Sequence, residues 1–286
     1  MKRSSSLVLV PLLSAILAMP TFAAGKNYPQ WDGKETAAEY AKRAGLAPVL
    51  TLDLGGSVKW EGVLVPAGTF VMGSPAGEAK TEKEAAIEKQ HRVMLSQPFY
   101  LGKYELTQAQ YEKVMGDNPS LTKGDNLPVH NLAWAKAREF CEKLSQQLKQ
   151  TVDLPTEAQW EYACRAGTTT AYYNGATLAD LDKAAWHGGN SERKPHSVGE
   201  KQPNAWGIYD MLGNIREYTR DLYLEQPLSD ATDPTGPVDG DPKNHVVRGG
   251  AYTANAAGAL NCRCATRRPT EAPMMTGFRI LVKVAE

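Results

Sequence analysis

Cysteine is scarce, with four residues in 286. Cys262 and Cys264 are one residue apart, while Cys141 and Cys164 each stand alone on other segments. That spacing is poor for a structural zinc site, which needs four ligands in closely spaced pairs. It suits disulfides in an oxidising compartment. Histidine is equally sparse: His91, His130, His187, His196 and His245. None of the five is paired at i, i+4 on a helix, so a helix-borne metal site is unsupported. Net charge is absent, with 32 basic and 32 acidic residues. The chain therefore carries no basic footprint for nucleic acid and no Lys/Arg run for a membrane surface. No glycine fingerprint for a flavin or nicotinamide cofactor is present. Beyond residue 23 no apolar run approaches the roughly 20 residues that a membrane span needs, so the chain is not expected to be membrane-embedded.

What is present begins with a leader. Lys2 and Arg3 precede the apolar stretch Leu7–Pro20, and Thr21-Phe22-Ala23 is a small-x-small cleavage site. Residues 1–23 therefore read as a secretory signal peptide and imply export, most simply to a bacterial periplasm. Removing Lys2 and Arg3 from 32 bases leaves 30 against 32 acids, net −2.

The rest is punctuated by turns and short periodic runs. Residues 24–57 are expected to form an N-terminal arm with a short helix over Glu35–Arg43. Thr51–Leu54 and Val58–Val65 flank Gly55-Gly56, a hairpin signal. Thr69–Gly73, His91–Leu95 and Phe99–Tyr104 read as strands. The charged segment Ser74–Gln90 reads as a solvated loop or frayed helix. Thr107-x-x-Gln110 and Thr156-x-x-Gln159 are capping boxes, in which each side chain satisfies a backbone donor at the other's end. Thr177 with Asp180 starts a further short helix. A longer helix over Asn131–Gln150 has Ala137, Phe140, Cys141, Leu144 and Leu148 on one face. Asn190–Asn204 and the proline-rich Asp221–Asn244 read as loops, and Gly277–Val284 as a closing strand. No repeat or linker divides residues 58–286, which are expected to be one α+β domain rich in irregular backbone.

Seven ordered runs carry a family likeness: LVPAGTFVMGS (64–74), FYLGKYELTQAQY (99–111), Leu127–Val129 with Trp134, LPTEAQWEYACRAG (154–167), NAWGIYDMLGNIREY (204–218), RGGAY (248–252) and Gly277-Phe278-Arg279. In this order they resemble the sulfatase-modifying-factor (FGE-sulfatase) domain, the family of the formylglycine-generating enzymes. The resemblance implies a C-type-lectin-like core with little regular secondary structure.

The resemblance also implies sites. In the formylglycine generators two cysteines of the RGG stretch bind copper and oxidise a substrate cysteine. Laid on that pattern without gaps, this chain has Ala254 and Ala259 there, and Ala251 at a nearby serine. Alanine has neither ligand atom nor nucleophile, so copper–thiolate chemistry is not expected. Another branch of the family uses a three-histidine iron site on an added helical domain, and neither feature is present. Asp210-x-x-Gly213-x-Ile215-x-Glu217 resembles the family's calcium loop, with two carboxylates alternating with the carbonyls of Gly213 and Ile215; the bland reading is a loop whose carboxylates bond its own backbone. A second family calcium site, beginning at Asn190, is not expected. Cys164 and Cys264 match a family disulfide. Cys141 with Cys262 is the weaker pairing, two buried thiols being the alternative.

A pocket is expected where the RGG stretch faces the loops around Asp210, walled by Trp186, His187, Arg216, Tyr218, Tyr252, Asn255 and Arg263. For its aromatics, core packing is the competing reading. Arg216 stands where the family often has an aromatic; its guanidinium suits an anionic or catecholate-like group, or a surface salt bridge. His187 and Glu217 are the candidate acid/base residues. Glu157, Arg263 and Arg267 also read as structural. Size, leader and the missing cysteines look like the family's pyoverdine-maturation branch, which implies oxidation of a dihydropyoverdine chromophore on a small-molecule or peptide siderophore precursor. The other reading is a non-catalytic binding or assembly protein on a rigid loop-display scaffold.

Overall fold

The computed structural model describes residues 26–79, 81–225, 229–237, 239–253, 261–270 and 273–285. Its longest sheet starts from the hairpin signal. Strands β1 (Val49–Gly55) and β2 (Val58–Val65) pair antiparallel. Gly55 and Gly56 turn the chain with φ of 101° and 66°, a region that side-chain-bearing residues rarely enter. β2 then pairs with β5 (Phe99–Gly102), β5 with β12 (Leu281–Lys283), and β12 with β6 (Val152–Asp153). The N-terminal arm thus supplies an edge strand of the main sheet.

Two smaller sheets flank it. One joins β3 (Gly68–Met72), β4 (His91–Leu95) and β8 (Ala231–Thr232). The other runs β10 (Arg268–Pro269), β9 (His245–Arg248), β7 (Arg216–Leu222) and β11 (Thr276–Gly277). The closing strand is broken: between β11 and β12 the carbonyls of Phe278 and Ile280 accept from the amides of Leu106 and Gly102, both at 2.9 Å. Gly277 is needed there, because a Cβ would lie 2.0 Å from the Val129 carbonyl oxygen.

The helices begin where the caps direct. α1 (Ala37–Ala44), α3 (Gln108–Met115), α5 (Glu157–Arg165) and α6 (Leu178–Ala184) each carry a complete capping box, on Thr36, Thr107, Thr156 and Thr177. Helix α4 (Trp134–Leu148) buries Ala137, Phe140, Cys141 and Leu144. Phe140 stacks on Tyr111 at 5.7 Å and meets the edge of Phe278 at 5.5 Å. A second core cluster gathers Trp160, Tyr162, Cys164, Trp206, Cys262 and Cys264.

The charged segment 74–90 is not simply a solvated face. It holds α2 (Glu82–Ile87) and returns the side chain of Glu88, 3% exposed, to the interior. The reason is a distant partner: Arg263 donates from NH1 to Glu88 at 2.9 Å and from NH2 at 3.1 Å. It also reaches Ser74 Oγ at 2.8 Å and Glu78 at 3.0 Å.

Candidate functional site at the RGG turn

The RGG turn is pinned by buried polar groups. Arg248 closes β9 and is completely buried. Its NH2 donates to Glu161 at 2.8 Å and lies 2.9 Å from Glu157, and its NH1 reaches the Cys264 carbonyl at 3.0 Å. Arg267 grips Glu157 at 2.7 and 2.9 Å, and Arg165 holds Glu161 at 2.8 Å. Both acids come from the buried first two turns of α5, so this helix docks through charge as well as through Trp160. Burial alone would raise the pKa of Glu161, but Arg165 and Arg248 hold it below the ordinary range. Glu157, Arg263 and Arg267 are structural forks.

Past Arg248 the backbone needs two left-handed glycines. Gly249 and Gly250 have φ of 89° and 80°. A Cβ on Gly250 would sit 2.5 Å from Cys262 Sγ. The Tyr252 amide donates to the Asn214 carbonyl at 2.8 Å, and Ser191 Oγ donates to the Tyr252 carbonyl at 2.6 Å. The turn is thus fastened to the loops following Asn190 and Gly213. Ala254, Asn255 and Ala259 lie outside the described residues.

Behind the turn, Glu217 of β7 and Arg279 form a buried ion pair, with Arg279 Nε and NH2 donating at 2.7 and 2.6 Å. Trp160 Nε1 donates to the same carboxylate at 2.7 Å. Glu105 accepts from Asn214 Nδ2 at 2.7 Å and from the Ile215 amide at 3.0 Å. Its pKa is pushed well above the carboxylate range by burial, and further by the charges of Asp210 and Glu217. Asp210 accepts from the Gly199 amide at 2.7 Å, and burial raises it to about 6.

Several expected site residues are engaged within the protein itself. Asp210 and Glu217 do not share a calcium cage: Arg279 holds both oxygens of Glu217 and supplies the positive charge that a cation would bring. Ile215 is held through its amide by Glu105, and Gly213 packs against Trp186, whose carbonyl oxygen would lie 2.3 Å from a Cβ there. Among the described residues no three His, Cys, Asp or Glu converge as metal ligands. As placed, the Glu217 carboxylate of the expected calcium loop is held by Arg279.

Both acid/base candidates are hydrogen-bonded within the protein. Glu217 is engaged as above. His187 contacts Asp182 Oδ1 through Nε2 at 2.7 Å and accepts the Gly189 amide on Nδ1 at 3.1 Å.

The expected pocket walls also diverge. Tyr218 is a core residue whose hydroxyl donates to the Leu132 carbonyl at 3.1 Å. Trp186 is stacked on His196 at 3.7 Å, with Lys201 Nζ 3.9 Å from its ring centre. Arg263 turns away to Glu88. Arg216 does border the turn, in a depression of about 10 Å³ shared with Gly250, Asn261 and Arg268.

All four cysteines are buried. Cys164 and Cys264 are brought together, Sγ to Sγ 3.4 Å. Cys141 and Cys262 are not: Cys141 packs on α4 in one core cluster and Cys262 in the other. Sequence reading missed Glu105 and Asn214, both inside the quoted runs. A lone acid between Tyr104 and Leu106 was the available signal for the first.

Residues 57–284 match the model of the sulfatase-modifying factor enzyme 1-like domain. The chain is 32% identical over 206 residues to the chaperone protein LppX of Paenibacillus barcinonensis, covering 54% of this chain and 69% of that protein. Its fold is similar to that of Treponema denticola variable protein 1, with a TM-score of 0.74 and 27% identity over 83% of this chain and 100% of that one. It is also similar to PvdO from Pseudomonas aeruginosa, with a TM-score of 0.69 and 21% identity over 83% and 99% of the two chains.

Proposed function

This chain belongs to the sulfatase-modifying factor enzyme 1-like family, and we propose that it serves on that scaffold as an exported tailoring protein of siderophore maturation, of the pyoverdine type. One observation supports the reading: the fold likeness spans 99% of PvdO. The family resemblance, laid on the RGG stretch without gaps, adds that Ala254 and Ala259 stand where the formylglycine generators have their copper-binding cysteines. The step is oxidation of the dihydro chromophore of the siderophore precursor. Two electrons and two protons leave the chromophore. They pass to an external two-electron acceptor, dioxygen, which is reduced to hydrogen peroxide. The chain's contribution is to bind and orient, with Arg216 at the RGG turn facing the anionic or catecholate-like edge of the ring. No thiolate at position 254 or 259 is available for copper chemistry.

The test is direct. Purified mature protein, mixed with the dihydro precursor in air, accelerates formation of the fluorescent product, with one equivalent of peroxide per turnover. A rate equal to that without protein overturns the reading.

A second reading is favoured by the burial of Glu217 in its ion pair with Arg279, which commits that carboxylate to a structural contact. The chain would then hold its client without transforming it, and the relative named a chaperone supports that role. Stoichiometric binding of the precursor without turnover distinguishes this reading from the first.

A further inference from the structure

A cleft of about 360 Å³ opens at the end of the main sheet, outside the RGG turn. This volume lies within the ~300–1,000 Å³ of ordinary small-molecule sites. Its floor is apolar: Leu95, Phe99, Leu154 and Leu281 line it, each no more than 2% exposed overall. Its rim carries three cations, Lys26, Arg220 and Lys283, and two acids, Asp153 and Asp233.

The acids are already engaged. Asp153 pairs with Arg138 and accepts the Leu154 amide at 2.6 Å. Asp233 accepts both the amide and the hydroxyl of Ser96, at 2.8 and 2.5 Å. The cations are not. Arg220 makes one long contact, 3.6 Å from NH1 to Asp153, and its side chain is 33% exposed. Among the described residues Lys26 and Lys283 have no carboxylate within ion-pair distance, and Lys26 lies 5.0 Å from the Tyr28 ring centre.

We propose that this cleft is a binding site for a small organic anion with an apolar body, its carboxylate held by Arg220 and its body laid on the partly buried Tyr28 and Val284, over the floor of Phe99, Leu154 and Leu281. The count of rim charges decides the sign: three cations lack close partners, Asp153 is paired with Arg138, and Asp233 is hydrogen-bonded to Ser96. A guanidinium presents two parallel N–H donors to a carboxylate, and the partly exposed Arg220 can turn toward a ligand without breaking a close ion pair. The floor supplies affinity and Arg220 supplies selectivity, the usual division in such sites. This site is independent of the RGG turn and of the reading proposed for it.

Calorimetric titration of the mature full chain at low salt tests it with two probes of one shape, 2-naphthoate and 2-naphthalenemethanol. The expected result is saturable 1:1 binding of the acid, about 10-fold tighter than the alcohol. Arg220→Met keeps the aliphatic stem and abolishes the preference. Gln97→Trp, on the exposed rim, obstructs the cleft and weakens both probes. Equal affinity for acid and alcohol in the native chain overturns the proposal, as does unaltered preference in Arg220→Met. Unchanged binding in Gln97→Trp would place the probes elsewhere and also overturn it.

Discussion

Arg279 and Glu217 form a two-point ion pair in which both side chains are 0% exposed. The pair joins the segment after β11 to β7, and Trp160 of α5 donates to the same carboxylate. Removing one partner leaves the other charge buried without its close counter-ion, at a cost of about 3–5 kcal/mol. Glu217→Gln is therefore expected to lower the melting temperature sharply. The double variant Glu217→Gln, Arg279→Met should recover part of the loss. Thermal denaturation of both decides whether Glu217 is structural. A Glu217→Gln protein of native stability would show that it is not.

Buried acids set the pH dependence. Asp221 is raised from 3.8 to about 7, first by burial and then by Glu157 beside it. Asp210 is raised from 3.8 to about 6, chiefly by burial. Each binds its proton more tightly folded than unfolded. Their favourable contribution is therefore complete below about pH 3.8 and is lost as pH rises through 6 to 7. Asp221→Asn keeps an oxygen for the Glu157 amide, which Asp221 accepts at 2.7 Å. It is expected to melt higher than the native chain at about pH 8, with the gap closing below about pH 4. A gap that widens on acidification contradicts this assignment.

Cysteine connectivity is a third test. The thiols of Cys164 and Cys264 are 3.4 Å apart across a separation of 100 residues. Peptide mapping of protein produced in an oxidising compartment should show that pair linked, with Cys141 and Cys262 not linked to each other. Reduction should then cost about 2–5 kcal/mol. A Cys141–Cys262 crosslink would require the two core clusters to be arranged differently.

The RGG turn gives a fourth. Gly250→Ala places a methyl 2.5 Å from Cys262 Sγ at a φ of +80°. Strain and overpacking together should cost about 1–3 kcal/mol in urea denaturation. Gly77→Ala, which also has a positive φ but no atom within 4 Å of the added carbon, should cost less. Equal losses would remove the packing argument.

Local chemistry was legible in the sequence because its partners are neighbours. Thr107 and Gln110 announce α3, Gly55 and Gly56 announce the hairpin, and the stripe from Ala137 to Leu144 announces the buried face of α4. The ordered runs made the family legible as well. Long-range pairings were not. Nothing near Glu88 indicates that Arg263, 175 residues away, will bury it. Glu217 reads as a metal ligand or base until Arg279, 62 residues on, takes both its oxygens. The anion cleft escaped for the same reason: its wall draws on Lys26 and Lys283, near opposite ends of the described chain.

A role in siderophore maturation is tested most directly in the producing cell. Deleting the gene and analysing the secreted siderophore by mass spectrometry should reveal a species two hydrogens heavier than the mature product. Complementation with the native gene should remove it. An unchanged siderophore profile in the deletion strain would contradict the account.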